Sequence, residues 1–385
     1  MRKVCLLTSS RADLGILLPL CKEIELAKEL NFSIIGFGAH CEDRYRGSFE
    51  EDTKAFSQVT LLENERASDD PLGACKLVAS FFEELSLVLN KINPDIVLCL
   101  GDRYEMLAAV TAASIQGLVI AHFHGGEVTQ GAFDDNFRHA ITKLSHIHFP
   151  ATSEAMLRIQ QLGEQPRNIF NVGSLGVENV LKMKLSASEE IRSELKLSSS
   201  RPIIVITFHP ETRAVKTGEE QIKIFLDGVE HFAEGNEIVF TGTNSDPGGD
   251  AINNCISDFA SRYESVHMFG NLGVRRYLSL VKASELVIGN SSSGIIEVPS
   301  FHVPVVNVGD RQKGREKSKS VLDCQLDPKA IADCVEGVLK RETSIEFPNP
   351  YEGEDVKESV LEQLRTIELE NIKNKNFYQI ENINE

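Results

Sequence analysis

Short runs of consecutive apolar residues alternate along this chain with longer amphipathic stretches. Residues 4–7 read as a strand, 13–30 as a helix and 32–37 as the next strand. Helical periodicity over 77–89 stops at Asn93-Pro94, a helix-terminating pair. Residues 95–100 form a run apolar on both faces, as suits the interior of a parallel sheet, and the run ends in Gly101-Asp102-Arg103. A helix over 104–115 and a strand over 118–121 follow, then strands at 147–149 and 169–172 around a helix near 153–162. The polar, charged stretch 182–200 interrupts the alternation and predicts a linker in or near it. The alternation resumes with a strand at 203–208, a helix near 219–232, strands at 237–240 and 266–269, a helix at 274–281, and strands at 286–288 and 303–308. The last ~30 residues are charged and helical in pattern, and propensity allows them to pack on either half.

Two successive βαβ arrays predict an α/β protein of two Rossmann-like domains facing a central cleft. The expected division is 1–180 for the first domain and 181–359 for the second. A chain of 385 residues is the right length for two such domains.

Composition narrows the function classes. With 25% charged and 42% hydrophobic residues the chain reads as an ordinary soluble protein, and no apolar run reaches the length of a membrane span. Residues 4–7 are too short for a signal-peptide core, so a cytoplasmic location is expected. The net charge of -17 disfavours general nucleic-acid binding. A small anion remains acceptable where arginines and helix N-termini supply local positive field. The eight cysteines form no CxxC pair and are expected to be reduced, without disulfides or structural zinc.

The candidate chemistry gathers where strands end and helices begin, which is where open α/β sheets bind ligands. Ala121-His122-Phe123-His124-Gly125-Gly126-Glu127, followed by Gly131-Ala132-Phe133-Asp134-Asp135-Asn136-Phe137-Arg138-His139, crowds carboxylates, imidazoles and glycines into one connection. Several carboxylates in one crevice can have their pKa values pushed apart, as acid/base work requires. Ser9-Ser10-Arg11-Ala12-Asp13 offers an anion site, with Asp13 as N-cap or first-turn residue and no GxGxxG fingerprint. Asp102 is either a site carboxylate with Arg103 beside it or an ordinary helix N-cap. His122 and His124, like His146 and His148, form HxH pairs that a strand would place on one face. A metal site is conceivable there but its third ligand is undefined, so none is expected, and these histidines could equally hydrogen-bond the nearby carboxylates.

In the second half, Thr207-Phe208-His209-Pro210-Glu211-Thr212-Arg213 ends a strand, and His209 is expected outside the deep core. Gly289-Asn290-Ser291-Ser292-Ser293-Gly294 provides small side chains and amides suited to a diphosphate. Glu297, one turn on, suits a pair of ribose hydroxyls. Gly309-Asp310-Arg311-Gln312-Lys313-Gly314-Arg315-Glu316 adds positive charge at another strand end.

Taken together, Ser-Arg-Ala-Asp near the N-terminus, Gly101-Asp102-Arg103, His124-Gly125-Gly126-Glu127, Asp134-Asp135 with Arg138-His139, His209-Pro210-Glu211-Thr212, Gly289–Gly294 with Glu297, and Gly309-Asp310-Arg311-Gln312 resemble the UDP-N-acetylglucosamine 2-epimerase family. They run in order from residue 8 to about residue 316. The hydrolysing branch, which serves sialic-acid-type pathways, is the nearer match. Non-hydrolysing enzymes carry His-Arg-Arg-Glu-Asn where this chain has His209-Pro210-Glu211-Thr212.

The resemblance implies a GT-B-type pair of domains, a homodimer or tetramer, no cofactor, and a C-terminal helix over 360–385 that packs back on the first domain. It implies conversion of UDP-N-acetylglucosamine and water to N-acetylmannosamine and UDP through a glycal. The same reaction on UDP-2,4-diacetamido-2,4,6-trideoxyglucose is the alternative donor, and a GT-B glycosyltransferase is the alternative of another class. Asp102, Glu127, Asp134 and Asp135 are the implied acid/base candidates, with His209 assisting at the diphosphate. Arg11, Arg103, Ser291, Ser292, Glu297 and Arg311 are implied to hold UDP, joined in the expected binding set by Asp13, Arg138, Asn290, Ser293 and Gly294.

Overall fold

A computed structural model describes residues 1–63, 71–130, 134–211, 214–242, 249–270, 272–340 and 347–380. The chain divides into two compact units. The first is Met1–Glu127, Asp134–Asn179 and Gly353–Glu385; the second is Val128–Phe133 and Val180–Glu352.

In the first unit six strands form one parallel sheet: β1 (Arg2–Thr8), β2 (Leu30–Gly36), β3 (Val59–Leu61), β4 (Ile96–Leu100), β5 (Val119–Phe123) and β6 (Ile147–Phe149). Their order is β3-β2-β1-β4-β5-β6. Helices α1 (Arg11–Leu26), α2 (Asp43–Thr53), α3 (Pro71–Ile92), α4 (Tyr104–Ile115), α5 (Asp135–Leu144), α6 (Ser153–Gln161) and α7 (Leu175–Lys182) lie between or after the strands. The strands are apolar without alternation because both faces are covered. Val4 and Leu6 enter one core cluster with Leu14, Leu17 and Phe123, while Cys5 and Leu7 enter another with Phe81, Leu85 and Met106. Burial in these strands drives the Cys5 thiol pKa up to about 12 and raises that of Cys99. All eight cysteines are free thiols.

The second unit repeats the plan after the short helix α8 (Ser188–Glu194). Its strands are β7 (Ile203–Thr207), β8 (Glu237–Thr241), β9 (Val266–Phe269), β10 (Leu286–Gly289), β11 (Val305–Val308) and β12 (Val321–Cys324), all parallel. Their order is β12-β11-β10-β7-β8-β9, the same winding as in the first unit. The helices are α9 (Gly218–Val229), α10 (Gly249–Ala260), α11 (Gly273–Lys282), α12 (Ser292–Ile296) and α13 (Pro328–Leu339). Each sheet reverses its winding once, at β1/β4 in the first unit and at β7/β10 in the second. The ends of those strands are the sites an open α/β sheet offers to a ligand.

Several expectations need correction. The first helix ends at Leu26 rather than residue 30, because Leu30 already pairs with Arg2 in the sheet. The stretch 182–200 is not an open linker: it folds α8, and Ile191, Leu195 and Leu197 are buried. Residues 169–172 contribute only a single bridge, His148 to Ile169. The C-terminal helix is α14 (Val356–Thr366) rather than 360–385, and beyond it residues 367–380 hold only a short 3-10 turn. Val356, Val360, Leu361 and Leu364 of α14 are buried in the core of the first unit. Helices α2, α10 and α13 and strands β3 and β12 were not anticipated at all. No helix among the described residues is long and apolar enough to cross a membrane.

Candidate active site

The first strand-end cluster lies at the ends of β1, β4 and β5. After β1, Ser10 caps α1, and the Asp13 carboxylate turns back to accept the Ser9 N–H at 2.9 Å and the Ser10 hydroxyl. Asp13 is buried, and desolvation raises its pKa against those hydrogen bonds. It therefore locks the loop and is placed as a scaffold for Arg11, which is exposed on the first turn. His40 is buried behind this loop, its Nε2 3.0 Å from the Thr8 hydroxyl. Desolvation, aided by the Arg11 charge, pushes its pKa down to about 4.

After β4, Gly101 takes φ +99°, a conformation that favours glycine. Asp102 does not cap α4; the N-cap position is Arg103, with no side-chain cap bond. Arg103 instead forms two hydrogen bonds to the buried Glu105, at 3.2 and 3.1 Å. Asp102 pairs with Arg138, which reaches over from α5. Arg138 is 3% exposed; it also lies 3.3 Å from Asp135 and donates to the Glu127 carbonyl at 3.0 Å. Burial alone opposes this buried cation, but Asp102, Glu127 and Asp135 hold its pKa above the ordinary value. Asp134 and Asp135 open α5, Asp134 at the N-cap position and Asp135 in the first turn, 3.7 Å from His139. Gly131, Ala132 and Phe133 lie outside the described residues.

The strand β5 runs through Phe123, two residues further than expected. His124 follows at φ +59°, so the two imidazoles of the HxH pair do not share a strand face. His122 is fully buried, with Nε2 3.2 Å from the Gly101 carbonyl and Nδ1 3.2 Å from the Thr142 hydroxyl. Burial pushes its pKa down to about 3, so it is neutral and its Nε2–H donates to Gly101. His124 reaches Glu127 instead, Nδ1 to Oε1 at 2.6 Å. Gly126 is required here: a Cβ would stand 2.3 Å from the Ala155 carbonyl oxygen. His148 pairs with the buried Glu164 at 3.2 Å. No metal-binding cluster occurs among the described residues.

The second cluster lies at the ends of β7, β10 and β11. Gly289 takes φ +140°, and a Cβ there would fall 1.9 Å from the Thr207 carbonyl oxygen. Only glycine lets β10 end this close to β7. Asn290 is fully buried. Its Oδ1 accepts the His209 N–H at 2.7 Å and its Nδ2 donates to the His209 carbonyl at 2.8 Å. That geometry spends the Asn290 amide on the main chain of His209 and moves the residue from the expected binding set to a positioning role. The Asn290 carbonyl accepts from Arg311 at 3.1 Å and from Gln312 at 3.0 Å. Glu211 accepts the main-chain N–H groups of Asp310 and Arg311, tying the β11 loop to the β7 loop.

His209 is 4% exposed, deeper than expected for a histidine before proline at a strand end. Burial, with the Arg311 charge second, pushes its pKa down to about 3. Ser291 caps α12, and Ser293 accepts from the Tyr277 hydroxyl at 3.1 Å. Ser292 opens that five-residue helix, Gly294 is buried within it, and Glu297 is its C-cap rather than a residue one turn into a longer helix. Thr212 and Arg213 lie outside the described residues.

Each unit therefore gathers its own candidates. Asp102, Glu127, Asp135 and Arg138 come together in the first, and His209, Asn290 and Arg311 in the second. Sequence reasoning missed His40, Glu105, Thr142 and Ser174 in the first unit and Tyr277 in the second, and quoted Gln312 within a motif without giving it a role. Ser174 has the one usable signal, because it too stands immediately before a helix.

The sequence profile described as UDP-N-acetylglucosamine 2-epimerase matches residues 22–365. A Campylobacter jejuni protein named GDP/UDP-N,N'-diacetylbacillosamine 2-epimerase (hydrolyzing) is 35% identical over 85% of each chain. An Escherichia coli protein named polysialic acid biosynthesis protein P7 is 34% identical over 86% of this chain and 84% of its own. The crystal structure of UDP-GlcNAc 2-epimerase from Neisseria meningitidis bound to UDP-GlcNAc shares the fold. Its TM-score is 0.80, at 16% identity over 94% of this chain and 99% of that one. The motif order, the paired Rossmann-like units and these similarities place the chain in the UDP-N-acetylglucosamine 2-epimerase family, as a UDP-sugar 2-epimerase.

Proposed function

We propose that this enzyme works in the hydrolysing mode, converting UDP-N-acetylglucosamine and water to N-acetylmannosamine and UDP. The observation that carries the reading is the buried charge cluster of the first unit, in which Asp102, Asp135 and Glu127 surround Arg138. Elimination needs a base for the C2 proton. As that C–H bond breaks, its electron pair forms the C1=C2 bond of the glycal, and the C1–O bond breaks to release UDP. Hydration then needs an acid on the opposite ring face to return a proton to C2, while water supplies hydroxide to C1. Asp102, Glu127, Asp134 and Asp135 are the carboxylates assigned to these proton transfers.

Arg11 and Arg103 in the first unit, and the Ser291–Gly294 turn, Glu297 and Arg311 in the second, are assigned to UDP. The leaving diphosphate calls for fixed positive charge and main-chain N–H groups. His209, neutral and fixed by Asn290, can offer it a hydrogen bond without carrying charge. The protein is assigned to sialic-acid-type sugar biosynthesis and to a homodimer.

Incubation with the UDP-sugar alone in deuterated water tests the mode. Expected products are UDP and a free manno sugar with deuterium at C2. Retention of the original C2 hydrogen would refute elimination, and UDP release that requires an acceptor sugar would point to a glycosyltransferase. A second donor, UDP-2,4-diacetamido-2,4,6-trideoxyglucose, is favoured by the name of the Campylobacter jejuni relative. Comparing turnover on the two donors decides between them.

A further inference from the structure

We propose that His124 and Ser174 are positioning residues that set the protonation of Glu127, an inference resting on the acid/base role assigned to Glu127 above. The geometry is a three-member chain. The Ser174 hydroxyl lies 3.4 Å from His124 Nε2, and His124 Nδ1 lies 2.6 Å from Glu127 Oε1. A serine hydroxyl that donates to Nε2 leaves the proton on Nδ1, where it points at the carboxylate. Neither member is loosely placed. Ser174 is buried immediately before α7. The His124 N–H donates to the Phe149 carbonyl at 3.1 Å.

The backbone supports a built arrangement. His124 is one of five non-glycine residues with positive φ among those described, and it lies within a site of assigned chemistry. A left-handed conformation at such a residue is strained and persists where the surroundings impose it. Here it turns the imidazole off the strand and onto the carboxylate three residues later. Gly125 and Gly126 allow the chain to close: a Cβ on Gly125 would meet Thr142 and His122 at 2.8 and 2.9 Å, and one on Gly126 would meet α6.

Two guanidinium groups also lie close to Glu127. Arg138 from α5 acts on it electrostatically and binds its carbonyl. Arg158 from α6 donates to the neighbouring Gly126 carbonyl. Both are fixed positive charges. Donation from Nδ1 favours the ionised carboxylate and so keeps Glu127 ready to accept a proton from C2.

The test compares pH–rate profiles of the full-length enzyme, with turnover read as UDP release. His124→Asn tolerates the left-handed conformation but lacks the imidazole. Its acidic limb is expected to move up by about one pH unit, with turnover lowered about tenfold or more. Ser174→Ala is expected to move the limb in the same direction by less. His124→Gly removes any backbone cost, and added imidazole is expected to restore its turnover and return the limb toward the wild-type position. An unshifted limb in His124→Asn, or no response of His124→Gly to imidazole, overturns the proposal. Glu127→Gln is assayed alongside. Near-normal turnover in that variant would overturn the acid/base reading itself, whereas a disabled Glu127→Gln with an unshifted His124→Asn limb would overturn this proposal alone.

Discussion

The two strand-end clusters share a topology and differ in chemistry. At the ends of β4 and β5 charged side chains pair with one member of each pair buried: Asp102 and Asp135 with the buried Arg138, and Arg103 with the buried Glu105. At the ends of β7 and β10 the Asn290 amide, Gln312 and Thr207 with Thr241 hold the geometry, and the charged Glu211 and Arg311 bond to main-chain groups. Burying a charge is costly unless it is paired, so Arg138 is buried only with carboxylates around it. Under the proposed function the first cluster serves proton transfer and the second holds a group that binds and leaves unchanged. The same winding of strands thus carries two kinds of site, and the loops rather than the fold decide which.

The largest effect should come from neutralising the first cluster. Asp102→Asn and Glu127→Gln keep the shape of the side chain and remove its titratable proton. Each is expected to lower turnover by about 10²–10⁴-fold while leaving UDP affinity nearly intact. Steady-state kinetics with a separate UDP binding measurement checks this. Near-normal turnover in both would make these carboxylates structural and erase the contrast between the clusters.

A smaller and different effect is expected in the second cluster. Asn290→Ala leaves the His209 N–H and carbonyl without their partners in a fully buried place. Each buried hydrogen bond lost costs about 1–3 kcal/mol, so the melting temperature should fall. UDP should dissociate more readily, by about tenfold, because the main chain of His209 loses its anchor, while Arg311, held by the main-chain carbonyl of residue 290, keeps its own. If the loss fell wholly on turnover, with UDP affinity unchanged, the second cluster would belong to the chemistry and the division of labour would be wrong.

How far the sequence foretold this differs between the same two regions. All strands except β3 and β12 were legible because they are short, largely apolar runs, and the helix over Tyr104–Ile115 was read to the residue. Elements without such a run were missed. Helix α13 begins at Asp327-Pro328 and β12 is only four residues long with Asp323 inside it. Motif positions were legible in the same way, since strand ends are visible in sequence.

Partner choice was not legible. Nothing local says that Arg138 crosses to Asp102, 36 positions away, or that Asn290 spends its amide on His209, 81 positions away. Asp13 and Asn290 were expected in the binding set, whereas their side chains turn inward onto their own loops and the main chain. His124 was expected either in a metal site or as a hydrogen-bond partner of the nearby carboxylates; it bonds to Glu127, but its left-handed backbone cannot be read from residue type.

The smallest effect separates the two units by pH. Burial depresses the pKa of His122 to about 3 and of His40 and His146 to about 4, and it also lowers those of His139 and His148; all five lie in the first unit. In the second unit only His209, depressed to about 3, is shifted in this way among the described residues. A histidine whose folded pKa lies below its unfolded value contributes stability that is full above about pH 6.5 and is lost as pH falls. Glu164, depressed to about 2, keeps its contribution down to about pH 4.5 and loses it only below that. The window from about pH 6.5 to 4.5 therefore isolates the histidines. Each can cost at most about 1.4 kcal/mol per pH unit there. Amide exchange followed between about pH 7 and 5, corrected for intrinsic rates, should show β4 and β5 losing protection before β7 and β10. Equal loss in both sheets would mean that the buried histidines of the first unit do not set its response to acid in this window.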